Sequence, residues 1–210
     1  MLGRSKRAGV MSMIITGGSL TESKRALSLA KEYSTCQTPH PFRIGRNISD
    51  LYATVGCHPT RSTEFDEDPT RYFGALDELI EANLSGPGRA VAIGECGLDY
   101  DRLHFASAAI QRKAFRTCNL GLKSAVHYPA DVTFTGSQLT LAKKYHLPLF
   151  LHSRAAHSDF VRILREEGFG EDGGRVVGGR GGVVHSFTGS TEDAADYVRV
   201  RDICAASGHH

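Results

Sequence analysis

The sequence predicts an α/β protein built on a parallel sheet or a barrel, and two observations carry that prediction. Five short apolar runs alternate with five amphipathic segments of helical period, the pattern of parallel strands joined by crossover helices. Each run also stops at small or imidazole-bearing residues, in the words TGGS, GCHP, GECGLD, LHSR and VHSF. In a parallel sheet the strand C-termini share one rim, so His58, Glu95, His152 and His185 should converge there although they are far apart in the chain.

In chain order, a strand is expected at 10–16, ending in Gly17, Gly18 and Ser19. A helix follows over 21–33 with Ala26, Leu27, Leu29 and Ala30 as its apolar stripe. Residues 34–50 fit neither period and contain two prolines, which predicts an irregular insertion. A strand at 51–55 stops at Gly56, and the helix expected at 69–82 aligns Phe73, Leu76, Leu79 and Ile80. The third strand, 91–94, is expected to turn at Gly94 and present Glu95 just beyond it.

A helical pattern begins at 106, breaks off after 117 and resumes at 138. With 118–137 set aside, Ile110, Ala114, Leu141, Ala142 and Tyr145 fall close to one face, so this segment reads as an insertion within a helix. Spacing agrees: His58 to Glu95 is 37 positions, and Glu95 to His152 is 57, or 37 without the 20 inserted residues. Both are close to the roughly 30 or more residues of one βαβ step. A strand at 147–151 ends at His152, and a helix covers 155–167. A glycine-rich loop leads to a strand at 182–184, and a helix at 191–200, capped by Thr191, closes the patterned part. A single domain is thus placed at 8–200, with 201–210 as an unpatterned tail.

Bulk composition is that of an ordinary globular chain: 210 residues, 40% hydrophobic and 23% charged. A formal net charge of +2 leaves any nucleic-acid contact to a local patch. Five cysteines, an odd number without a CxxC pair, point to a reduced, intracellular chain rather than a disulfide framework. No apolar run approaches the length of a membrane span. The basic start, MLGRSKR, makes a mitochondrial address the lesser expectation beside a cytoplasmic or nuclear one.

Imidazole and carboxylate on one rim suit a divalent metal, and a carboxylate can bridge two ions while each histidine ligates one. Asp99 and Asp101, just past the third strand, are expected to be solvated acids. His157 is expected at the surface or as a helix cap, and Arg175 and Arg180 in a solvated loop. Cys57 and Cys96 are expected to be buried small hydrophobes.

The words MIITGGSLTESKRAL, YATVGCHPTRSTEF, VAIGECGLDYDRLHF, LPLFLHSRAAHSDF and GGVVHSFTGS occur in this order between residues 10 and 196. In them the chain resembles the TatD family of metal-dependent deoxyribonucleases, especially its eukaryotic branch. The resemblance implies a TIM-like (β/α) barrel of the amidohydrolase type. It also implies hydrolysis of DNA phosphodiester bonds with Mg²⁺, or with Mn²⁺ or Zn²⁺ in its place. Carried onto matching positions, Glu95 would bridge two metals and His152 and His185 would hold the second, with Arg154 and His58 near the scissile phosphate.

The family's His-x-His on its first strand and the Asp of its TDAP-like motif have no counterpart, and the likeness ends after Tyr197. Segments 34–50 and 118–137 also lack counterparts and read like non-coding sequence translated from an imperfect gene model. A partial barrel with about five of eight strands and open edges is the expected result. DNA is the expected substrate and no membrane is involved; the sequence does not fix an oligomeric state. Two alternatives stand beside the nuclease reading: a truncated, non-catalytic relative, and an amidohydrolase-type ester or amide hydrolase.

Overall fold

Six parallel strands form the sheet whose rim carries the candidate site. The computed structural model describes residues 2–34, 50–116, 118–119, 135–170, 172–199 and 203–205. Its first half runs α1 (Leu2–Arg7), β1 (Ser12–Ile15), α2 (Leu20–Ser34), β2 (Asp50–Val55), α3 (Ser62–Glu67), α4 (Pro69–Glu81) and β3 (Ala90–Asp99). Then come α5 (Ala108–Phe115), β4 (Cys118–Asn119), β5 (Thr135–Gly136), α6 (Gln138–Tyr145), β6 (Leu149–Arg154), α7 (His157–Glu166), β7 (Gly182–Val184), α8 (Thr191–Arg199) and β8 (Ile203–Ala205). The sheet order is β1-β2-β3-β6-β7-β8, with every neighbouring pair parallel. Spatial order following chain order is the arrangement of a (β/α) barrel, here a partial one.

Helices form where the sequence places an apolar stripe behind a cap. Asp68 accepts the Arg71 N–H ahead of Pro69, and α4 then buries Tyr72, Phe73, Leu76 and Ile80. α2 buries Ala26, Leu27 and Ala30 against the sheet. On the other side of the core, Phe115 of α5 stacks on Phe160 of α7 with centroids 5.3 Å apart. Fully buried side chains such as Leu76, Ile80 and Ile93 contribute roughly 1.5–3 kcal/mol each through the hydrophobic effect.

Four expectations need correction. The third strand does not turn at Gly94; β3 runs on to Asp99, with a bulge between Gly94 and Cys96. Gly94 and Gly97 both adopt φ 141°, and a Cβ there would collide with the carbonyl oxygens of Phe150 and His152 respectively. Only glycine lets β3 keep its pairing with β6 through this stretch. Similarly, β6 continues through His152 to Arg154. The tail contributes a sixth strand, β8, and the cap of α8 is Ser190, whose Oγ accepts the Asp193 N–H at 3.1 Å.

The short helix α1 was not expected from the basic start. The glycine-rich loop is a hydrogen-bonded turn, since Asp172 accepts the N–H groups of Gly174 and Val176 at 2.9 Å each. Within the described residues α5 stops at Phe115, ahead of the segment proposed as an insertion. α6 starts afresh with Ser137 as its N-cap, and the segment's ends pair antiparallel, Cys118 with Gly136. Residues 35–49 and 120–134, the bulk of both proposed insertions, lie outside the described residues, as do His209 and His210. No described helix is long and apolar enough to cross a membrane.

Candidate metal centre

Backbone contacts lock the strand ends before any side chain meets another. Glu95 N–H donates to Gly17 O at 3.0 Å, and His58 N–H donates to Gly18 O at 2.8 Å, so the loop after β1 ties down both neighbouring strand ends. Two buried glutamines complete the frame. Gln138 of α6 accepts from Cys57 N–H at 2.6 Å and donates to Cys57 O at 2.9 Å, while Gln111 of α5 does the same to Asp99, at 2.7 and 2.9 Å. Their signal in the sequence is a glutamine on the otherwise apolar face of each helix.

The side chains then follow from strand periodicity. Glu95, Gly97 and Asp99 alternate onto one face of β3. His152 lies abreast of Gly97 in the parallel register, and with no side chain at Gly97 its imidazole spans the two acids. Its Nδ1 lies 3.1 Å from Glu95 Oε1 and its Nε2 3.3 Å from Asp99 Oδ2. The same Glu95 oxygen meets His185 Nε2 at 2.6 Å and His58 Nε2 at 3.4 Å. One carboxylate oxygen therefore faces three imidazoles from three other strand ends. His185 stacks flat on Phe150, and β6 and β7 leave the sheet through Ala155 and Ser186, at φ 50° and 49°. Such left-handed non-glycine residues cost about 1–2 kcal/mol and cluster at functional sites.

Burial disfavours the charged form of Glu95, but its contacts with His152, His185 and His58 outweigh this and hold its carboxyl well below the usual range. The carboxylate is thus a fixed negative charge. His58 differs from the other two rings, because its Nδ1 accepts the Thr60 N–H at 3.2 Å, which assigns the ring proton to Nε2, facing Glu95. Candidate ligand atoms of His58, Glu95 and His152 lie within 4.8 Å of one another, and His185 adds a third ring on the same oxygen. Rigid nitrogen and carboxylate donors around one point fit a divalent cation. Neighbouring thiols do not join them: burial pushes Cys57 up to about 12, and burial together with Glu95 raises Cys96 as well.

Arg154, two residues beyond His152, lines a cavity of about 560 Å³ together with Tyr100, Ser153, His157, Phe187 and Tyr197. No ion-pair partner for it is present among the described residues. The first turn of α7 opens on this cavity without a side-chain cap at Ala156. One expectation fails here. Asp99 is not solvated but fully buried, unlike exposed Asp101, because β3 runs on past Gly94. His157 opens α7 and is 25% exposed, with Nε2 at 3.3 Å from Asp196 and 3.5 Å from Asp193 on α8.

A parallel β/α sheet whose C-terminal rim gathers a carboxylate and imidazoles defines a barrel-type protein with a metal-competent centre. The family described as TatD related DNase matches residues 1–208, and the chain belongs to that family. "Deoxyribonuclease Tat-D" of Schizosaccharomyces pombe is 36% identical over 196 residues, covering 92% of this chain and 49% of the relative. "3'-5' ssDNA/RNA exonuclease TatD" of Cronobacter sakazakii is 30% identical, covering 93% and 55%. Among solved structures, a TatD family hydrolase from Entamoeba histolytica superposes with a TM-score of 0.71 at 28% identity, covering 98% of this chain and 54% of the other. The chain spans about half the length of the relatives it matches.

Proposed function

We propose that this chain is a metal-dependent phosphodiesterase acting on DNA. The observation that carries the reading is the single Glu95 oxygen facing three imidazoles at the rim of a TatD-family sheet. Relatives that bear the names deoxyribonuclease and ssDNA/RNA exonuclease support nucleic acid as the substrate class, with single strands as the favoured form.

Glu95, His152 and His185 would hold the cation. When bound, a divalent ion supplies Lewis-acid stabilisation of negative charge and lowers the pKa of water. Donor softness favours Mn²⁺ or Zn²⁺ over Mg²⁺ at an imidazole-rich set. His58 carries its proton on Nε2, so it is placed to donate to a phosphate or leaving-group oxygen rather than to ligate. Arg154 and the open N-terminus of α7 offer positive charge to a phosphate seated in the adjoining cavity.

The test is hydrolysis of a labelled single-stranded oligodeoxynucleotide by the purified chain with Mg²⁺ or Mn²⁺, beside Glu95→Gln. A loss of at least about a hundredfold in kcat/KM is expected, the scale on which removing a key electrostatic group acts. Equal activity in the two proteins removes Glu95 from the mechanism. Metal uptake without any hydrolysis would favour a non-catalytic relative.

A further inference from the structure

Asp99 is a carboxylate taken wholly out of water, with 0% exposure. Among the described residues its Oδ1 has no hydrogen-bond partner, and its Oδ2 meets only His152 Nε2 at 3.3 Å and Arg102 Nε at 3.9 Å. Arg102 is 49% exposed, and an ion pair that open and that long contributes little. Burying a charge this incompletely satisfied is costly, so the contact that accounts for it is the one to His152.

The local geometry gives that contact a use. Asp99 cannot swing away, because Gln111 grips its backbone N–H and C=O and also donates to Ala106 O at 2.9 Å. The imidazole between Glu95 and Asp99 has two nitrogens and two carboxylates to face. A neutral ring that ligates a cation must keep one nitrogen free of its proton and place that proton on the other. Asp99, the deeper of the two acids, takes the N–H of Nε2 and leaves Nδ1 on the side of Glu95.

Resting on the metal reading above, we infer that Asp99 is a positioning residue: it fixes the tautomer and ring angle of His152 so that Nδ1 is the nitrogen available to the cation. Carboxylates that hold the distal N–H of a ligating histidine raise its basicity as well as orienting it.

The test is Mn²⁺ titration, followed by the electron paramagnetic resonance of the free ion, on the full chain and on Asp99→Ala and Asp99→Asn. Thermal melting in EDTA verifies that each variant is folded. Asp99→Ala should weaken Mn²⁺ binding by about 10- to 100-fold. Asp99→Asn, whose amide oxygen still accepts from Nε2–H, should recover most of that loss, whereas a merely structural role would move the melting temperature and leave the Mn²⁺ affinity of the folded protein alone. Unchanged affinity in folded Asp99→Ala overturns the proposal. In case that variant does not fold, the ¹⁵N shifts of the His152 ring in the Zn²⁺-loaded unsubstituted chain decide: a proton on Nε2 supports the assignment and a proton on Nδ1 refutes it. If the unsubstituted chain takes up no Mn²⁺ or Zn²⁺, the metal reading itself has failed, recognisable because no variant then differs from it.

Discussion

Two groups of histidines and acids lie near the rim, and they are built in opposite ways. At the strand ends, one Glu95 oxygen faces three imidazoles. Between α7 and α8, one imidazole, His157, faces two carboxylates, Asp193 and Asp196. The first group is mostly buried, and each member is held by a strand end or its backbone contacts. The second sits on helix surfaces, and Asp196 also pairs with Arg199 at 2.9 Å. The contrast separates the proposed ligand set from a salt bridge. Several lone-pair donors converging on one rigid point suit a cation, whereas a ring set between two part-exposed acids of the next helix ties two helices together.

Exchanging the residues should expose that difference most strongly in metal affinity. His152→Ala should weaken Mn²⁺ binding by on the order of a hundredfold, while His157→Ala should leave it within about twofold, as isothermal titration would measure. An equal loss in both variants would erase the distinction. A smaller effect separates the groups by acid. The hydrogen bond from His157, with a further contribution from Arg199, lowers the pKa of Asp196. The stability this supplies is present above the unfolded pKa of about 4 and is lost as pH falls through the folded value. Asp196→Asn should therefore melt about 1–3 °C below the parent at pH 6, and the gap should close as the pH falls through the folded pKa of Asp196, below the ordinary aspartate value. A gap that persists in acid would mean that Asp196 acts by packing rather than by charge.

Much of the first group was legible in the sequence and almost none of the second. Strand ends in a parallel sheet share one rim whatever lies between them, so Glu95, His152 and His185 could be brought together from chain order alone. His157 and Asp196 meet through the packing of one helix on another, which chain order does not specify. The burial of Asp99 is hidden for a different reason: Gly94 reads as a turn, and only the crowding of Gly94 and Gly97 against β6 shows that the strand continues and carries Asp99 inward. The tail beyond 200 has no hydrophobic period, yet Ile203–Ala205 pairs with β7, because a three-residue strand is too short for alternation to register.

The most direct measurement is crystallographic. Crystals of the chain grown with Mn²⁺ should give an anomalous difference peak among Glu95, His152 and His185. No peak there, or a peak only at His157, Asp193 and Asp196, would contradict the account.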